Sequence, residues 1–184
     1  MTVDTIATER LILRPLRPSD AGPMTLYASD PRLARMTTSI PHPYPPGAAE
    51  AYIAARLEGR TGEAVWAIDA MPEGGAELVG IILHRPDTGE IGYWVGPPFW
   101  NTGYASEALA GLVAHLFGAG LDRLTARVIE ENGASAHVLE KIGFTQTGIG
   151  EMFSAARGCV VPVREFALER ADWLAAQHVP EGAR

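Results

Sequence analysis

Several features that define large classes of proteins are missing from this sequence. Cys159 is the one cysteine among 184 residues, which excludes an intrachain disulfide and a cysteine-rich zinc site. We expect its thiol to behave as a small buried or half-buried hydrophobe. The first residues lack the basic and then apolar pattern of a secretory signal, and no run approaches the roughly 20 apolar residues of a membrane span. These absences predict a cytoplasmic protein without membrane contact.

Positive charge is scarce as well. The chain has 15 Lys and Arg against 22 Asp and Glu, which gives a net charge of -7. Proteins that bind nucleic acid present a basic face, so we expect no nucleic-acid partner, whereas an amine or a basic peptide is compatible with this charge. Hydrophobic residues make up 47% of the sequence, and its length favours one globular domain with a substantial core.

One stretch combines a strand, a tight turn and the start of a helix. Aromatic and β-branched residues predict a strand over 87–96, and a turn that contains Gly103 follows it. Apolar residues then recur at helical spacing, at Ala105, Leu109, Leu112, Val113, Leu116 and Phe117. The first N–H groups of a helix lack intrahelical partners and carry partial positive charge, so the turn predicts an anion site. The alternative is an ordinary connection in which Gly103 supplies backbone freedom.

The rest of the chain alternates between strand and helix patterns. Strands are predicted over 9–16, 64–70, 77–84, 123–129, 144–153 and 160–168. A helix is predicted over 48–57, and a later one has Asn132 as its N-cap and ends at Gly143. The segment 39–47 holds four prolines and is predicted to be a stiff loop. The tail from His178 is expected to fray.

Two motifs carry a resemblance to a known family. One is Glu-Ile-Gly-Tyr-Trp-Val at 90–95 followed by Gly-Tyr-Ala-Ser-Glu-Ala at 103–108, and the other is Asn-x-x-Ser-x-x-Val-Leu-Glu-Lys-Ile-Gly-Phe at 132–144. They resemble the two CoA-side motifs of the GNAT superfamily of acetyl-CoA-dependent N-acetyltransferases. The nearest branch is that of the ribosomal-protein N-terminal acetyltransferases, and the resemblance extends over residues 9–173.

The resemblance implies an α+β fold of one domain spanning residues 1–184. In that fold a mixed, twisted and mostly antiparallel sheet carries helices on both faces, and its central strand pair splays apart. Acetyl-CoA is the implied co-substrate, and the reaction needs no metal. The implied cofactor-binding residues are Trp94, Val95, Trp100, Asn101, Thr102, Gly103, Tyr104, Ala105, Ser106, Asn132 and Ser135.

The turn departs from the family pattern at two positions. That pattern is Gln or Arg, two residues, Gly, one residue, and then Gly or Ala. Here Trp100 takes the Gln or Arg position, whereas Gly103 and Ala105 keep the two small residues. Asn101 stands where the branch commonly has Gly, and Asn tolerates the left-handed backbone better than most residues. We therefore expect the turn to keep its shape.

Acetyl transfer from a thioester to an amine needs a neutral amine, donors to the carbonyl oxygen, a proton for the thiolate, and reactants held in register. Glu90 is our candidate for the base, and the alternative is an exposed carboxylate at the end of a strand. His84 is the second candidate, and deprotonation through water is the third. Ser135 is the candidate acid, since the resemblance implies a hydroxyl near the CoA sulfur; alternatively it only caps its helix.

The expected reaction is direct attack by a primary amine on acetyl-CoA in a ternary complex. The nearest branch suggests a protein N-terminal amine as the acceptor. Polyamines, amino acids and antibiotics are alternatives, as is a non-catalytic acyl-CoA sensor, and the protein is expected to be a monomer or a homodimer. His42, Tyr44 and Glu90 are the candidate acceptor-binding residues, although 39–47 could be an ordinary connector. The turn lacks the Gly-Lys-Ser/Thr ending of a nucleotide-binding P-loop.

Overall fold

One mixed sheet organises the chain in a computed structural model, which describes residues 3–74 and 77–177. The strands in these residues are β1 (Ile6–Ala7), β2 (Ile12–Pro15), β3 (Ala64–Asp69), β4 (Gly80–Arg85), β5 (Glu90–Val95), β6 (Arg123–Ile129), β7 (Thr145–Ser154) and β8 (Cys159–Glu169). The helices are α1 (Ala21–Ala28), α2 (Pro31–Ala34), α3 (Ala48–Leu57), α4 (Tyr104–Gly118), α5 (Gly133–Ile142) and α6 (Arg170–Gln177). The predicted fraying of the tail from His178 lies outside the described residues.

The sheet has the order β1-β2-β3-β4-β5-β6-β8-β7. Among these strands, β5 and β6 alone pair in parallel, and their register is limited to Glu90 opposite Thr125. Beyond that point the two strands separate toward Val95 and Ile129, while β6 stays paired with β8 along its whole length. The mixed sheet with a splayed central pair therefore confirms the predicted fold.

Helices cover the two faces of the sheet with separate apolar clusters. On one face Leu109 and Leu112 of α4 pack against Ile91 of β5. On the other face Met24 of α1 and Ile53 of α3 pack in a cluster with Ile81 and partly buried Trp94. Since successive strand residues point to opposite faces, Glu90 and Gly92 share the second face with Trp94.

Local sequence signals account for several boundaries. The helix α3 and the strand β6 begin and end where the pattern predicts. The side chain of Asn132 caps α5 by accepting from the backbone N–H of Ser135 at 3.1 Å. Gly143 ends that helix with a φ of 110°, a left-handed conformation that glycine adopts without strain.

Two predictions need correction, and one helix was not predicted. The strand predicted over 9–16 is shorter, because the Thr8 N–H donates to the Leu11 carbonyl at 2.9 Å and the Leu11 N–H donates to the Thr8 hydroxyl at 3.1 Å, which turns the chain between β1 and β2. The helix α6 was not predicted. Cys159 is exposed rather than buried, because it lies at the turn end of the β7–β8 hairpin, where the side chains of Phe153 and Val160 are also exposed.

Candidate active site

A cavity of about 400 Å³ lies in the opening between β5 and β6. Its walls come from these two strands, from β4, from α3, from the start of α5 and from the segment 36–41. The polar and aromatic residues that line it include Tyr44, Tyr52, Arg56, Arg85, Glu90, Tyr93, Trp94, Arg127, Asn132 and Ser135. Glu90, Trp94, Asn132, Ser135 and Tyr44 were predicted site residues, so the fold brings these five to one cavity.

Glu90 is held by two arginines at the floor of the cavity. Its Oε1 accepts from Arg85 Nη1 at 3.1 Å, and its Oε2 accepts from Arg127 Nη2 at 2.6 Å. The residue is 8% exposed, so the alternative of an exposed carboxylate at the end of a strand is wrong. Among the described residues that line the cavity, Glu90 is the one carboxylate.

The second candidate base, His84, lies elsewhere. It is opposite Ile91 in the register of β4 and β5, on the face that packs against α4, and it does not line the cavity. Burial lowers the pKa of its imidazole, while the Asp87 carboxylate acts in the opposite direction. His84 is therefore a buried histidine on the wrong face of the sheet for contact with an acceptor in this cavity.

Ser135 and Tyr93 are joined across the opening. The Tyr93 hydroxyl donates to the Ser135 backbone carbonyl at 3.0 Å, and the two side-chain hydroxyls share a hydrogen bond of 2.9 Å. Burial raises the pKa of Tyr93 to about 12, although the hydrogen bond with Ser135 acts in the opposite sense. The Tyr93 phenol therefore stays protonated at neutral pH, and both hydroxyls of the pair can act as hydrogen-bond donors in the cavity. Tyr93 was not among the predicted site residues.

Asn132 links the start of α5 to the wall of the cavity. While its Oδ1 caps the helix, its Nδ2 donates to the Met36 carbonyl at 3.2 Å. The same wall is fastened from the hairpin side, where Arg157 donates from Nη2 to the Arg35 carbonyl at 3.0 Å and pairs with Glu131. The segment that closes the cavity is thus tied to both neighbouring turns.

The turn after β5 has the backbone of an anion site. Asn101 and Gly103 are left-handed, with φ values of 62° and 86°, so the turn keeps its shape despite the missing glycine. Among the described residues, no group accepts from the N–H of Asn101, Thr102 or Gly103. Ala105 and Ser106 lie in the first turn of α4, where N–H groups lack intrahelical partners.

Trp100 connects this turn to the end of β5. Its indole Nε1 donates to the Val95 carbonyl at 2.7 Å. The Gly96 N–H donates to Val79 on the β4 side at 2.8 Å, and the C=O and N–H of one trans peptide point in opposite directions. The Val95 carbonyl therefore points away from β4. In an extended strand the N–H and C=O of one residue share a side, so the Val95 N–H also points into the opening.

Arg10 lies beside the turn, and the sequence analysis missed it. Its Nη1 donates to the Thr102 carbonyl at 3.1 Å, and its guanidinium lies 5.1 Å from the centre of the Tyr104 ring. Glu107 holds it there through the Arg10 N–H at 2.6 Å and Nε at 2.8 Å. No local pattern signals this contact, because the two partners are 92 positions apart in sequence.

One of the two residues predicted from 39–47 to contact the acceptor lies at the cavity. Tyr44 lines the cavity, but His42 is exposed and does not. Tyr52 and Arg56 occupy the wall instead, with the Arg56 guanidinium 3.3 Å from the centre of the Tyr52 ring. Burial raises the pKa of Tyr52 to about 12. Single arginines and tyrosines in helices and strands carry no sequence signal for a site, so these residues were not found.

Comparison with known proteins decides the family. A family model for the acetyltransferase (GNAT) domain matches residues 10–145. The chain belongs to the GNAT family of N-acetyltransferases. In the GNAT family the co-substrate is acetyl-CoA, and the resemblance found from the two motifs is confirmed.

Relatives of this GNAT protein extend over its whole core. An uncharacterized N-acetyltransferase, p20 from Bacillus licheniformis, is 28% identical over 180 residues, which cover 93% of this chain and 99% of p20. The structure of Mycobacterium smegmatis RimJ in complex with CoA-disulfide has a TM-score of 0.74 at 24% identity, with 95% of this chain and 94% of that one covered. Spermidine N-acetyltransferase from Vibrio cholerae, in complex with CoA and spermine, has a TM-score of 0.73 at 17% identity, with 90% and 98% covered. The two structural likenesses concern the fold alone.

In the part of the chain that the structure describes, no helix is both long and apolar enough to cross a bilayer. Within the same residues, no group of three or more His, Cys, Asp and Glu side chains could hold a metal ion.

Proposed function

We propose that this protein transfers the acetyl group of acetyl-CoA to a primary amine bound between β5 and β6, by direct attack in a ternary complex. The observation that carries the proposal is that the N–H groups of Asn101, Thr102 and Gly103 lack partners among the described residues and lie between α4 and the end of β5, a strand whose residues also line the charged cavity. A cofactor with its phosphates on the turn can extend along the opening toward Ser135. Its acyl group would then lie near the Glu90 carboxylate and the hydroxyls of Ser135 and Tyr93.

The cofactor residues that we propose fall into three groups. The backbone of Asn101, Thr102 and Gly103, with Ala105 and Ser106, would bind the pyrophosphate, and Arg10 would add a positive charge beside it. The end of β5 at Trp94 and Val95 would bind the pantetheine arm, with Trp100 bracing that strand end. Asn132 would position the arm from the α5 side, and Tyr104 would pack beside the phosphates.

The groups at the opening match the charges that develop during the reaction. The amine nitrogen attacks the thioester carbon, the carbon–sulfur bond breaks and an amide forms. The Val95 N–H points into the opening and would donate to the carbonyl oxygen as negative charge builds on it. The leaving thiolate would accept a hydrogen bond from the Ser135 hydroxyl, which the protonated Tyr93 hydroxyl supports. The proton that leaves the amine would return to this sulfur through water, so that CoA departs as a thiol.

The amine must lose one proton, and Glu90 is the group that we propose to accept it. It is the one carboxylate among the described residues that line the cavity. Arg56, Arg85 and Arg127 line the same cavity, and their positive charge disfavours the ammonium form of a bound amine. The cavity therefore favours the neutral amine that can attack, and the carboxylate removes the proton that attack releases.

We propose an α-amine, of a protein N-terminus or of an amino acid, as the acceptor. A polyamine would bring further positive charges against three arginines, which is unfavourable. Tyr44 and Tyr52 would form the apolar wall around the acceptor. His42 is exposed outside the cavity. It would contact an acceptor only if that molecule were long enough to extend out of the cavity.

Binding and turnover can be tested separately. Acetyl-CoA at about 100 times its dissociation constant stabilises a protein by roughly 2.7 kcal/mol, a rise in Tm of about 5–10 °C for a domain of this size, and ATP at the same concentration is the control. Release of free CoA thiol is then measured with a panel of amines. If acetyl-CoA stabilises the protein but no amine causes thiol release, the proposal of an enzyme is wrong and that of a non-catalytic acyl-CoA sensor is favoured.

A further inference from the structure

We infer that the acceptor carries a carboxylate group, which binds Arg127 beside the reacting amine. This inference rests on the proposed acetyl transfer, because it names the class of amine that the cavity selects. It goes beyond that proposal by assigning a specificity-determining residue.

Charged side chains form a continuous chain of ion pairs beside the cavity. In order they are Arg56, Glu63, Arg85, Glu90 and Arg127, and each neighbouring pair is in contact. Three guanidiniums alternate with two carboxylates, so the chain keeps one positive charge in excess. Because Glu63 does not line the cavity, an acceptor meets three arginines and a single carboxylate there.

Arg127 is the end of this chain that remains open. Arg56 and Arg85 lie further in, with 16% and 33% of their side chains exposed, whereas Arg127 is 38% exposed. Its Nη2 donates to Glu90. Among the described residues, neither its Nε nor its Nη1 has a hydrogen-bond partner. A cavity-lining arginine with unused donors is a ready anion site.

The carboxylate nearest in the sheet register, that of Glu165, does not pair with Arg127. Glu165 is opposite Arg127 in the register of β6 and β8, yet no ion pair joins them among the described contacts. Its oxygens lie over β7 instead, where Cβ atoms added at Gly148 and Gly150 would come within 3.1 Å and 2.8 Å of them. The two glycines leave room for Glu165 to turn away from Arg127.

A carboxylate is the group that best completes this arrangement. It would accept from the free donors of Arg127 in the planar geometry that guanidinium prefers, and its charge would cancel the excess positive charge of the chain. The amine of the same molecule would then lie close to Glu90, which is bound to the same guanidinium. The cationic end of a polyamine would instead face the guanidinium of Arg127, which is repulsive.

The test uses two pairs of acceptors that differ in the carboxylate, L-alanine and L-alaninamide, and L-alanyl-L-alanine and its amide. A third pair, phosphoethanolamine and ethanolamine, differs in a phosphate. Thiol release gives kcat/KM for each member at saturating acetyl-CoA. We expect a carboxylate member to exceed its amide at least tenfold, chiefly through KM. The Arg127→Gln variant should lose that ratio while keeping its KM for acetyl-CoA.

Arg123→Gln is the matched control, because Arg123 lies on the same strand and its one ion pair among residues 3–74 and 77–177 is with Glu169 at the surface. It should keep the ratio of the wild type. If Arg127→Gln does not fold, Arg127→Lys keeps the charge without the planar fork and should reduce the ratio. Binding of N-acetyl-L-alanine and N-acetyl-L-alaninamide, followed by calorimetry, measures the same preference without turnover.

Three results would overturn the inference. Equal kcat/KM for both members of every carboxylate pair would refute it while leaving acetyl transfer established. An equal loss for acid and amide in Arg127→Gln would mean that Arg127 only supports the structure. A clear preference for phosphoethanolamine over all carboxylates would assign the site to phosphates. If no amine reacts and neither acetylated product binds, the proposed function fails together with the inference.

Discussion

The indole N–H of Trp100 donates to the carbonyl oxygen of Val95 at 2.7 Å. This bond fixes the end of the central strand to the turn that we propose for the pyrophosphate. The family pattern has Gln or Arg at this position. In this chain the indole of Trp100 holds the end of β5 through this hydrogen bond. Its removal should therefore affect the cofactor more than the acceptor.

The first prediction concerns this bond. Trp100→Phe keeps the ring and removes the donor, and a hydrogen bond of this kind contributes about 0.5–1.5 kcal/mol. We expect the KM for acetyl-CoA to rise roughly 2–10-fold, with little change in the KM of the acceptor. Trp173→Phe is the control, since that ring packs against Phe117 away from the cavity. An unchanged KM for acetyl-CoA in Trp100→Phe would show that the turn holds its position unaided.

The second prediction concerns Arg10. Arg10→Gln removes a charge beside the turn and leaves Glu107 without its guanidinium partner, so we expect the KM for acetyl-CoA to rise about tenfold. The effect should weaken at high salt, because exposed charges are screened. The double variant Arg10→Gln/Glu107→Gln separates lost attraction from new repulsion. Arg17→Gln, which breaks an exposed pair with Glu77, should leave KM unchanged.

The third prediction concerns Glu90. Glu90→Gln keeps the shape of the side chain but cannot accept a proton, and loss of a general base lowers kcat by about 10²–10⁴. Glu63→Gln is the control, because Glu63 belongs to the same chain of ion pairs without lining the cavity. The pH dependence of kcat in both variants is the measurement. If Glu90→Gln and Glu63→Gln lose activity equally, the ion pairs position the arginines and water carries the proton.

The fourth prediction concerns the hydroxyl pair. Ser135→Ala removes the proposed donor to the thiolate and should lower kcat about 10²-fold, whereas Tyr93→Phe removes only its support and should have a smaller effect. Acetyl-CoA binding, measured by calorimetry, should change little in either variant. A normal kcat in Ser135→Ala would assign this residue to the structure of the helix start alone.

The fifth prediction concerns stability at acid pH. Burial raises the pKa of Glu107, but hydrogen bonds from Thr8 and Arg10 outweigh it and hold the pKa below the ordinary value of 4.5. A lowered pKa in the folded state gives stability that is present above the unfolded pKa and is lost as the pH falls through the folded one. Glu107→Gln should therefore be less stable than the wild type near neutral pH.

The measurement for Glu107 is the free energy of unfolding as a function of pH, by denaturant titration. The difference between the two proteins should shrink as the pH drops below 4.5. Glu58→Gln, which removes an exposed pair with Arg60, should give no such dependence. A constant difference over the whole range would mean that packing at Glu107, not its charge, accounts for the loss.

The sequence predicted well what is decided locally. The helix α5 was bounded correctly because Asn132 and Gly143 cap its two ends. The left-handed turn before α4 was expected from Asn101 and Gly103, and its role toward the cofactor stays a prediction. Arg10 and Arg127 were missed, since their roles depend on which strands and helices meet in three dimensions. Glu90 was chosen from its place on the central strand, but the two arginines that bind it come from other strands and have no signature in the chain.

Asn132 serves two structures with one side chain, because its oxygen caps α5 and its nitrogen holds the Met36 carbonyl. The helix start carries the proposed acid, and the segment at Met36 closes the acceptor cavity. The sites that we propose for the two substrates therefore share the Asn132 side chain, so that a shift of one wall would move the other. We expect the affinities for donor and acceptor to depend on each other for this reason.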